Sequence, residues 1–199
     1  MTVRFPLLLP WLSPDGRVIL AARALRAFGY GFLAVILGRY LVELGFDSVH
    51  IGIILSASLI GAAVLTLLLS TLADRWGRRR LLKANAILMA AGGLAFAFGH
   101  DFWFLLAAAL TGTISVATNE RGGFLTIEQA VLPQTAPAGR RTLLFSLYNV
   151  GSSIGVAVGA LLAGLPALLP SLPTVDVLRL LFVFYAILAS GCLRPLLPP

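Results

Sequence analysis

The stretch STLADRWGRRRLL, residues 70–82, places one acid, one glycine and four arginines between two long apolar runs. The runs on either side, about 51–72 and 81–99, are each long enough to cross a bilayer as a helix. Over the whole chain 59% of the residues are hydrophobic and 12% are charged, with a mean hydropathy of +0.96. This composition is typical of an integral membrane protein and excludes an ordinary soluble domain.

Apolar runs of about 20 residues recur along the chain and predict six transmembrane helices, since an open sheet cannot satisfy its backbone in lipid. After a tail at 1–17, the predicted all-α bundle occupies residues 18–194. Its spans cover about 18–41, 51–72, 81–99, 102–118, 142–165 and 175–193. A further amphipathic helix, at about 124–134, is expected to lie at the membrane interface.

Basic residues set the predicted orientation. Nearly all lie in loops on the side that carries 70–82, and only Arg39 and Arg179 fall on the other side. The positive-inside rule therefore predicts that this side and both termini are cytoplasmic, in a cell (inner) membrane. The net charge of +7 then reflects topology, so no nucleic-acid partner is expected. A single cysteine and two histidines predict no metal site and no cofactor.

The positive-inside rule explains why arginines occur at residues 70–82, but it does not explain why the acid Asp74 lies among them. An acid at the C-terminal end of a helix faces the negative end of the helix dipole and needs a compensating cation. Arg78, four residues later, is the expected partner, and Gly77 would provide the tight reversal between two antiparallel spans.

This stretch resembles the loop between spans two and three of the major facilitator superfamily of secondary transporters. Leu72 and Ala73 also match that pattern, and Ser70 stands where the family usually has glycine. The runs GGFLTIEQAVLPQ and RRTLLFSLYNVGSS are similar to an uncharacterised bacterial branch of the superfamily. The resemblance implies that these residues form a cytoplasmic gating motif: Ser70, Asp74, Arg75, Gly77, Arg78 and Arg79.

The resemblance also implies the N-terminal six-helix half of a transporter in which two halves rock about a central site. Residues 195–199 would begin the central loop, and the sequence carries no second half. We therefore expect a half-length carrier, truncated or split, whose partners are the bilayer, a small solute, and either a second six-helix half or another copy of the chain.

Polar residues inside the spans are candidates for solute binding, because leaving them in hydrocarbon is costly. Arg26 and Tyr30 share a helix face with Arg23, which is expected to snorkel to the interface. The spans that line the cavity in the family add further positions, which gives these candidates: Arg26, Tyr30, Thr111, Ser115, Asn119, Tyr148, Asn149 and Ser152. Arg26 favours an anionic or neutral solute. No acid is predicted deep in a span, so proton coupling in this half is not expected.

Glycines at four-residue intervals, Gly151, Gly155 and Gly159, predict a close contact between helices. The run GSSIG, residues 151–155, also fits a Gly-x-Ser-x-Gly nucleophile motif with Ser153 as nucleophile, which leaves an intramembrane serine hydrolase as a distant alternative. That motif requires a strand, a sharp turn and a nearby histidine, which an apolar helix does not offer. A membrane protein without transport activity, inert or regulatory, is the nearer alternative.

Overall fold

The computed structural model describes residues 11–114, 123–164 and 174–191, with the backbone alone at positions 73–76, 78, 79, 123, 124, 126, 127 and 191. Within these ranges the chain forms helices and no strand. Two short 3₁₀ turns, Leu132–Thr135 and Ala138–Arg140, lie before the sixth α-helix. The α-helices of the described ranges are α1 Pro14–Glu43, α2 Ser48–Trp76, α3 Arg78–Phe98, α4 Phe102–Leu110, α5 Gly123–Val131, α6 Arg141–Leu162 and α7 Thr174–Gly191.

Within the described ranges, four segments are long and apolar enough to cross a membrane: Pro14–Glu43, Ser48–Leu72, Arg80–Phe98 and Ala138–Leu162. Large apolar side chains stay exposed along them, among them Ile53, Ile60 and Leu67 of α2. A soluble protein rarely leaves such a continuous apolar face uncovered, whereas lipid covers it in a bilayer. The chain is therefore an all-α membrane protein, and its six-span arrangement stays a prediction.

The first helix begins earlier than the predicted tail at 1–17 allows. The Ser13 hydroxyl accepts a hydrogen bond from the Gly16 amide at 3.1 Å and caps the helix. Pro14 then occupies the first turn, where its missing N–H costs nothing. The helix therefore takes in residues that had been assigned to the tail.

The predicted helix at 102–118 is wrong at residues 111–114, which are not helical. Helix α4 ends at Leu110, and Gly112 follows with a φ of +70°. At this point the backbone of Gly112 packs directly on Gly61 of α2, so closely that a Cβ on either glycine would overlap the other chain segment. The chain leaves its helical path at this contact, and residues 115–122 lie outside the described ranges.

Two glycine turns mark the opposite ends of the bundle. Gly77, with a φ of +84°, reverses the chain between α2 and α3 as predicted, and we call this the hairpin end. Gly45, with a φ of +87°, lies between α1 and α2 at what we call the far end. The side chains of Asp74 and Arg78 are outside the described part of the structure, so their pairing stays a prediction.

Acidic residues cap two helices at the far end. Asp101 accepts hydrogen bonds from the amides of the first turn of α4. Asp47 Oδ1 accepts a bond of 2.8 Å from the His50 amide at the start of α2 and lies 2.6 Å from His50 Nδ1. The backbone bond from His50, followed by the ring contact, lowers the pKa of the Asp47 carboxyl below its ordinary value.

The most extensive helix contact joins α1 and α6, which run parallel. A Cβ on Gly155 would lie 2.6 Å from the carbonyl oxygen of Ala24, and one on Gly159 would overlap that of Phe28. The two backbones therefore touch at these glycines, as small residues allow between membrane helices. Gly151 has no such neighbour within 4 Å, so the expected packing role does not extend to it.

Helix α1 is the central element, because its other face packs on the antiparallel pair α3 and α7. Phe96 and Phe182 stack with ring centroids 5.6 Å apart, and the Tyr40 hydroxyl donates to the Phe96 carbonyl at 2.7 Å. Apolar packing thus holds the half of α1 nearer the far end. The buried arginines of α1, Arg23 and Arg26, lie in the other half.

Candidate functional site

The polar face of α1 points into the protein. Arg23, Arg26 and Tyr30 are only 6%, 2% and 8% exposed, so the three predicted neighbours do share a buried face. The expectation that Arg23 snorkels to the interface is wrong. Its guanidinium carbon instead lies 4.8 Å from the centroid of the Tyr148 ring on α6, a cation–π arrangement.

Arg26 forms a buried ion pair with Glu128 of α5. Arg26 Nη2 donates to Glu128 Oε1 at 2.6 Å, and the two side chains are 2% and 7% exposed. The helix predicted at 124–134 is present, but its expected interfacial position is wrong for this side chain. Glu128 is therefore a buried acid, although it lies on the short helix α5 and not within a predicted span.

The burial of Glu128 follows from the stripe on which it lies. Leu125, Glu128 and Leu132 are spaced i, i+3 and i+7, so they share one helical face. Leu132 is fully buried against α1 and α6, and the docking of this stripe carries Glu128 inward. The sequence indicated that an acid lies beside Arg26, because an arginine inside a span needs an anion nearby.

Tyr148 completes the site by binding the second carboxylate oxygen. Its hydroxyl donates to Glu128 Oε2 at 3.0 Å, while its ring receives Arg23. We call Arg23, Arg26, Glu128 and Tyr148 the polar centre. Both oxygens of its carboxylate have a donor, and all of its four side chains are buried.

The polar centre lies well inside the helices that build it. At 1.5 Å per residue, Arg26 is roughly 18 Å along α1 from Pro14, and Tyr148 is roughly 10 Å along α6 from Arg141. Leu12, Leu132 and Leu144 pack with Tyr148 on the side of the hairpin end, and we call these three residues the apolar cap. The Ser13 amide, which donates to the Thr135 carbonyl at 3.1 Å, fastens this cap.

Two further candidates lie near the polar centre in different surroundings. Ser152 is buried one turn after Tyr148 on the same stripe of α6. Tyr30 packs edge-on against Tyr185 of α7, with ring centroids 6.0 Å apart, and so belongs largely to the apolar core. Of the two, Ser152 is the better placed to extend the polar centre along α6.

The remaining cavity candidates do not join the polar centre in the described structure. The Thr111 hydroxyl donates to the carbonyl of Ala108 in its own helix, at 2.7 Å. Asn149 is exposed, although it directly follows Tyr148. Ser115 and Asn119 lie outside the described residues. In the gating motif, Ser70 likewise donates to its own helix, at the Leu67 carbonyl.

The electrostatics of the polar centre limit what it can do. Arginine stays protonated in proteins, so Arg23 and Arg26 bring two positive charges into the polar centre. Removing one member of a buried ion pair is costly, because it strands the other charge in a medium of low dielectric constant. The arginines of the polar centre therefore require an anion beside them, and Glu128 provides one in the described structure.

Comparison with known proteins assigns the family. The family model described as Major Facilitator Superfamily matches residues 19–197, which include every residue of the polar centre. The chain belongs to the Major Facilitator Superfamily. The residues 70–82 that resemble this family thus indicated the correct one. The nucleophile-like Ser153 lies within the continuous helix α6.

Curated relatives are 25% to 32% identical to the chain over the residues that align. An uncharacterized membrane protein of Saccharomyces cerevisiae is 32% identical over 77% of this chain and 34% of its own length. A D-xylose transporter of Levilactobacillus brevis is 31% identical over 65% and 28%. The quinolone resistance protein NorA of Staphylococcus aureus is 25% identical over 68% and 34%. The chain therefore spans about a third of the length of these relatives.

Proposed function

We propose that the chain takes part in secondary transport of a small polar solute by alternating access, with the polar centre as part of the solute site. The observation that carries this proposal is the buried Arg26–Glu128 pair inside a membrane-spanning bundle. Ionisable residues within a membrane are rare and mark solute or ion pathways. The alternative, a membrane protein without transport activity, gives no reason to keep such a costly cluster.

The proposed solute is about the size of a sugar and is either neutral or anionic. The relatives include the D-xylose transporter and a facilitated glucose transporter of Xenopus tropicalis, which is 27% identical over 53% of this chain. Arg26 and Tyr148 supply hydrogen-bond donors for hydroxyl or carboxylate oxygens, and Ser152 extends the donors along α6. These donors favour an oxygen-rich solute over an apolar one.

The proposal includes an orientation and a partner. The hairpin end would face the cytoplasm of a cell (inner) membrane, because the arginines of residues 78–80 lie there. The predicted six-span unit would work with a second six-helix unit, from another chain or a second copy. In that arrangement Asp74 of the gating motif would latch onto the second unit at the cytoplasmic side. The polar centre would then face the pathway between the two units.

Flux across reconstituted membranes tests the proposal. The chain is placed in proteoliposomes, and uptake of labelled D-xylose, D-glucose and D-gluconate is compared with that of empty vesicles. We expect flux of at least one of them, and a loss of about tenfold or more in Arg26→Ala, since one lost charged hydrogen bond is worth about 1.5–3 kcal/mol. Arg39→Ala is the matched control, because Arg39 is half-exposed and its ion pair with Glu43 is long, at 3.9 Å.

Two results count against the proposal. Absence of flux with every probe would favour the membrane protein without transport activity. Flux that is equal in Arg26→Ala and in the unaltered chain would place the pathway away from the polar centre. A loss of flux shared by Arg39→Ala would point to a general effect of removing an arginine.

A further inference from the structure

Basic and aromatic side chains meet where α1 and α6 begin, at the hairpin end. Trp11 lies just before α1, Arg140 is the N-cap residue of α6, and Arg141 is the first residue of that helix. We propose that these three residues, which we call the basic rim, bind the phosphate of an anionic glycerophospholipid in the leaflet at the hairpin end. The inference is independent of the proposed function, because it concerns the surrounding bilayer and not the solute.

The arginines of the basic rim have hydrogen-bond donors that the described structure does not use. The guanidinium carbon of Arg140 lies 5.4 Å from the centroid of the Trp11 ring. Such stacking uses the flat face of the guanidinium and leaves the N–H donors in its plane. Arg140 and Arg141 are both exposed, and neither forms an ion pair with any residue that the structure describes. A phosphate can therefore bind without displacing an existing partner.

The length of α6 places the basic rim at the level of the lipid phosphates. The helix has 22 residues, and at 1.5 Å per residue it is about 33 Å long. The hydrocarbon core of a bilayer is roughly 30 Å thick, so a helix that crosses it has Arg141 at one boundary. The indole of Trp11 favours the same boundary, because its ring is apolar and its N–H is polar.

The outer face of α6 favours a lipid over free inorganic phosphate. Large apolar side chains are exposed along this face at helical spacing, and they begin two residues after Arg141. They are Leu143, Val150, Ile154, Val158 and Leu161. The acyl chains of a bound lipid can cover this surface, whereas inorganic phosphate has no apolar part to do so. Headgroup and chains of one molecule would thus contact the basic rim and the apolar face together.

The charges at the start of α1 and α6 favour an anionic headgroup over a zwitterionic one. Asp15, exposed in the first turn of α1, forms no ion pair with Arg140 or Arg141 in the described structure. Arg17 lies two residues after it, so the cations outnumber the acid. A phosphatidylglycerol headgroup brings a net negative charge, whereas the choline of phosphatidylcholine neutralises its phosphate. The attraction therefore distinguishes these two lipids.

Titration with short-chain lipids tests the proposal. The full chain, purified in an uncharged detergent, is titrated by calorimetry with dioctanoyl phosphatidylglycerol and with dioctanoyl phosphatidylcholine. We expect phosphatidylglycerol to bind about tenfold more tightly or better, and Arg140→Gln and Arg141→Gln each to weaken it by about fivefold, the loss expected for one arginine at a membrane surface. Trp11→Leu should also weaken binding, because Arg140 loses the ring on which it stacks.

Arg39→Gln is the matched control. Arg39 is a half-exposed arginine on the half of α1 nearer the far end, so its replacement removes the same charge away from the basic rim. This variant should bind phosphatidylglycerol like the unaltered chain. A thermal unfolding curve for each variant confirms that it is folded, which is expected because Arg140 and Arg141 are exposed.

Four results count against the inference. Equal affinity for the two lipids, or unchanged binding of phosphatidylglycerol when Arg140 and Arg141 are both replaced with glutamine, overturns it. A loss shared by Arg39→Gln would show that the net charge of the protein, and not the basic rim, attracts the lipid. Displacement of phosphatidylglycerol by millimolar inorganic phosphate would make the basic rim a site for free anions. Unchanged binding in Trp11→Leu would refute the role given to its ring.

Discussion

The stability of the Arg26–Glu128 pair provides a quantitative prediction. Both side chains are almost fully buried, so replacing only Glu128 with leucine leaves Arg26 without its carboxylate. Breaking a buried ion pair in this way costs about 3–5 kcal/mol of unfolding free energy. Arg26→Met should cost less than Glu128→Leu, because Arg23 on the same face also interacts with Glu128 and compensates in part.

The double variant Arg26→Met with Glu128→Leu should be more stable than Glu128→Leu alone. It removes both charges together and leaves chiefly the Tyr148 hydroxyl without its acceptor, a cost of about 1–3 kcal/mol. The sum of the single effects therefore exceeds the double effect by about 3 kcal/mol or more, which is the coupling energy of the pair.

Reversible unfolding in mixed detergent micelles measures these differences. The exposed pair Arg39 and Glu43, with its 3.9 Å separation, gives the control cycle, for which we expect a coupling of about 0.2–1 kcal/mol. Single effects at Arg26 and Glu128 that add to within about 0.5 kcal/mol would refute the reasoning, since contacting charges cannot be additive.

Three further predictions concern packing, hydrogen bonding and pH. Gly159→Leu should destabilise the chain by more than the roughly 1–3 kcal/mol typical of overpacking, since its Cβ would overlap the Phe28 carbonyl, whereas Gly151→Leu should be nearly neutral in the same unfolding assay. Tyr148→Phe should lower the free energy of unfolding by about 1.5–3 kcal/mol, because the buried Glu128 carboxylate loses a hydrogen-bond donor; an unchanged free energy of unfolding would contradict this. Folding lowers the pKa of the Asp47 carboxyl, so its cap is fully formed above 3.8, the pKa of the unfolded chain, and is lost as the pH falls through the lower pKa of the folded state. Hydrogen exchange of the amides in the first turn of α2 should therefore rise in acid. Asp47→Asn should show no such rise.

Local chemistry made much of the fold predictable from the sequence. Hydropathy over some 20 residues identifies a membrane helix because a span must be apolar over the thickness of the bilayer. Gly77 could be assigned to a turn because a sharp reversal between helices favours a positive φ. The spacing of Arg23, Arg26 and Tyr30 gave their common face because helical geometry is fixed.

Features that depend on docking between distant segments were missed. An amphipathic helix at 124–134 fits a membrane interface as well as a protein interior, and its packing against other helices of the bundle decides that Glu128 is buried. The end of α4 at Leu110 was also missed, since the apolar run continues and the backbone contact between Gly112 and Gly61 is not visible in either segment alone. Tertiary contacts therefore decide both the burial of Glu128 and the end of α4.

Infrared difference spectroscopy of the chain in lipid tests the central claim, that Glu128 is ion-paired inside the bundle, most directly. Spectra at neutral pH in water and in deuterated water are compared for the unaltered chain, Glu128→Gln and Glu43→Gln. We predict that Glu128→Gln removes a carboxylate band whose shift in deuterated water develops slowly, because the donors that bind Glu128 are buried. A band for Glu128 that shifts as fast as that of the exposed Glu43 would contradict the account.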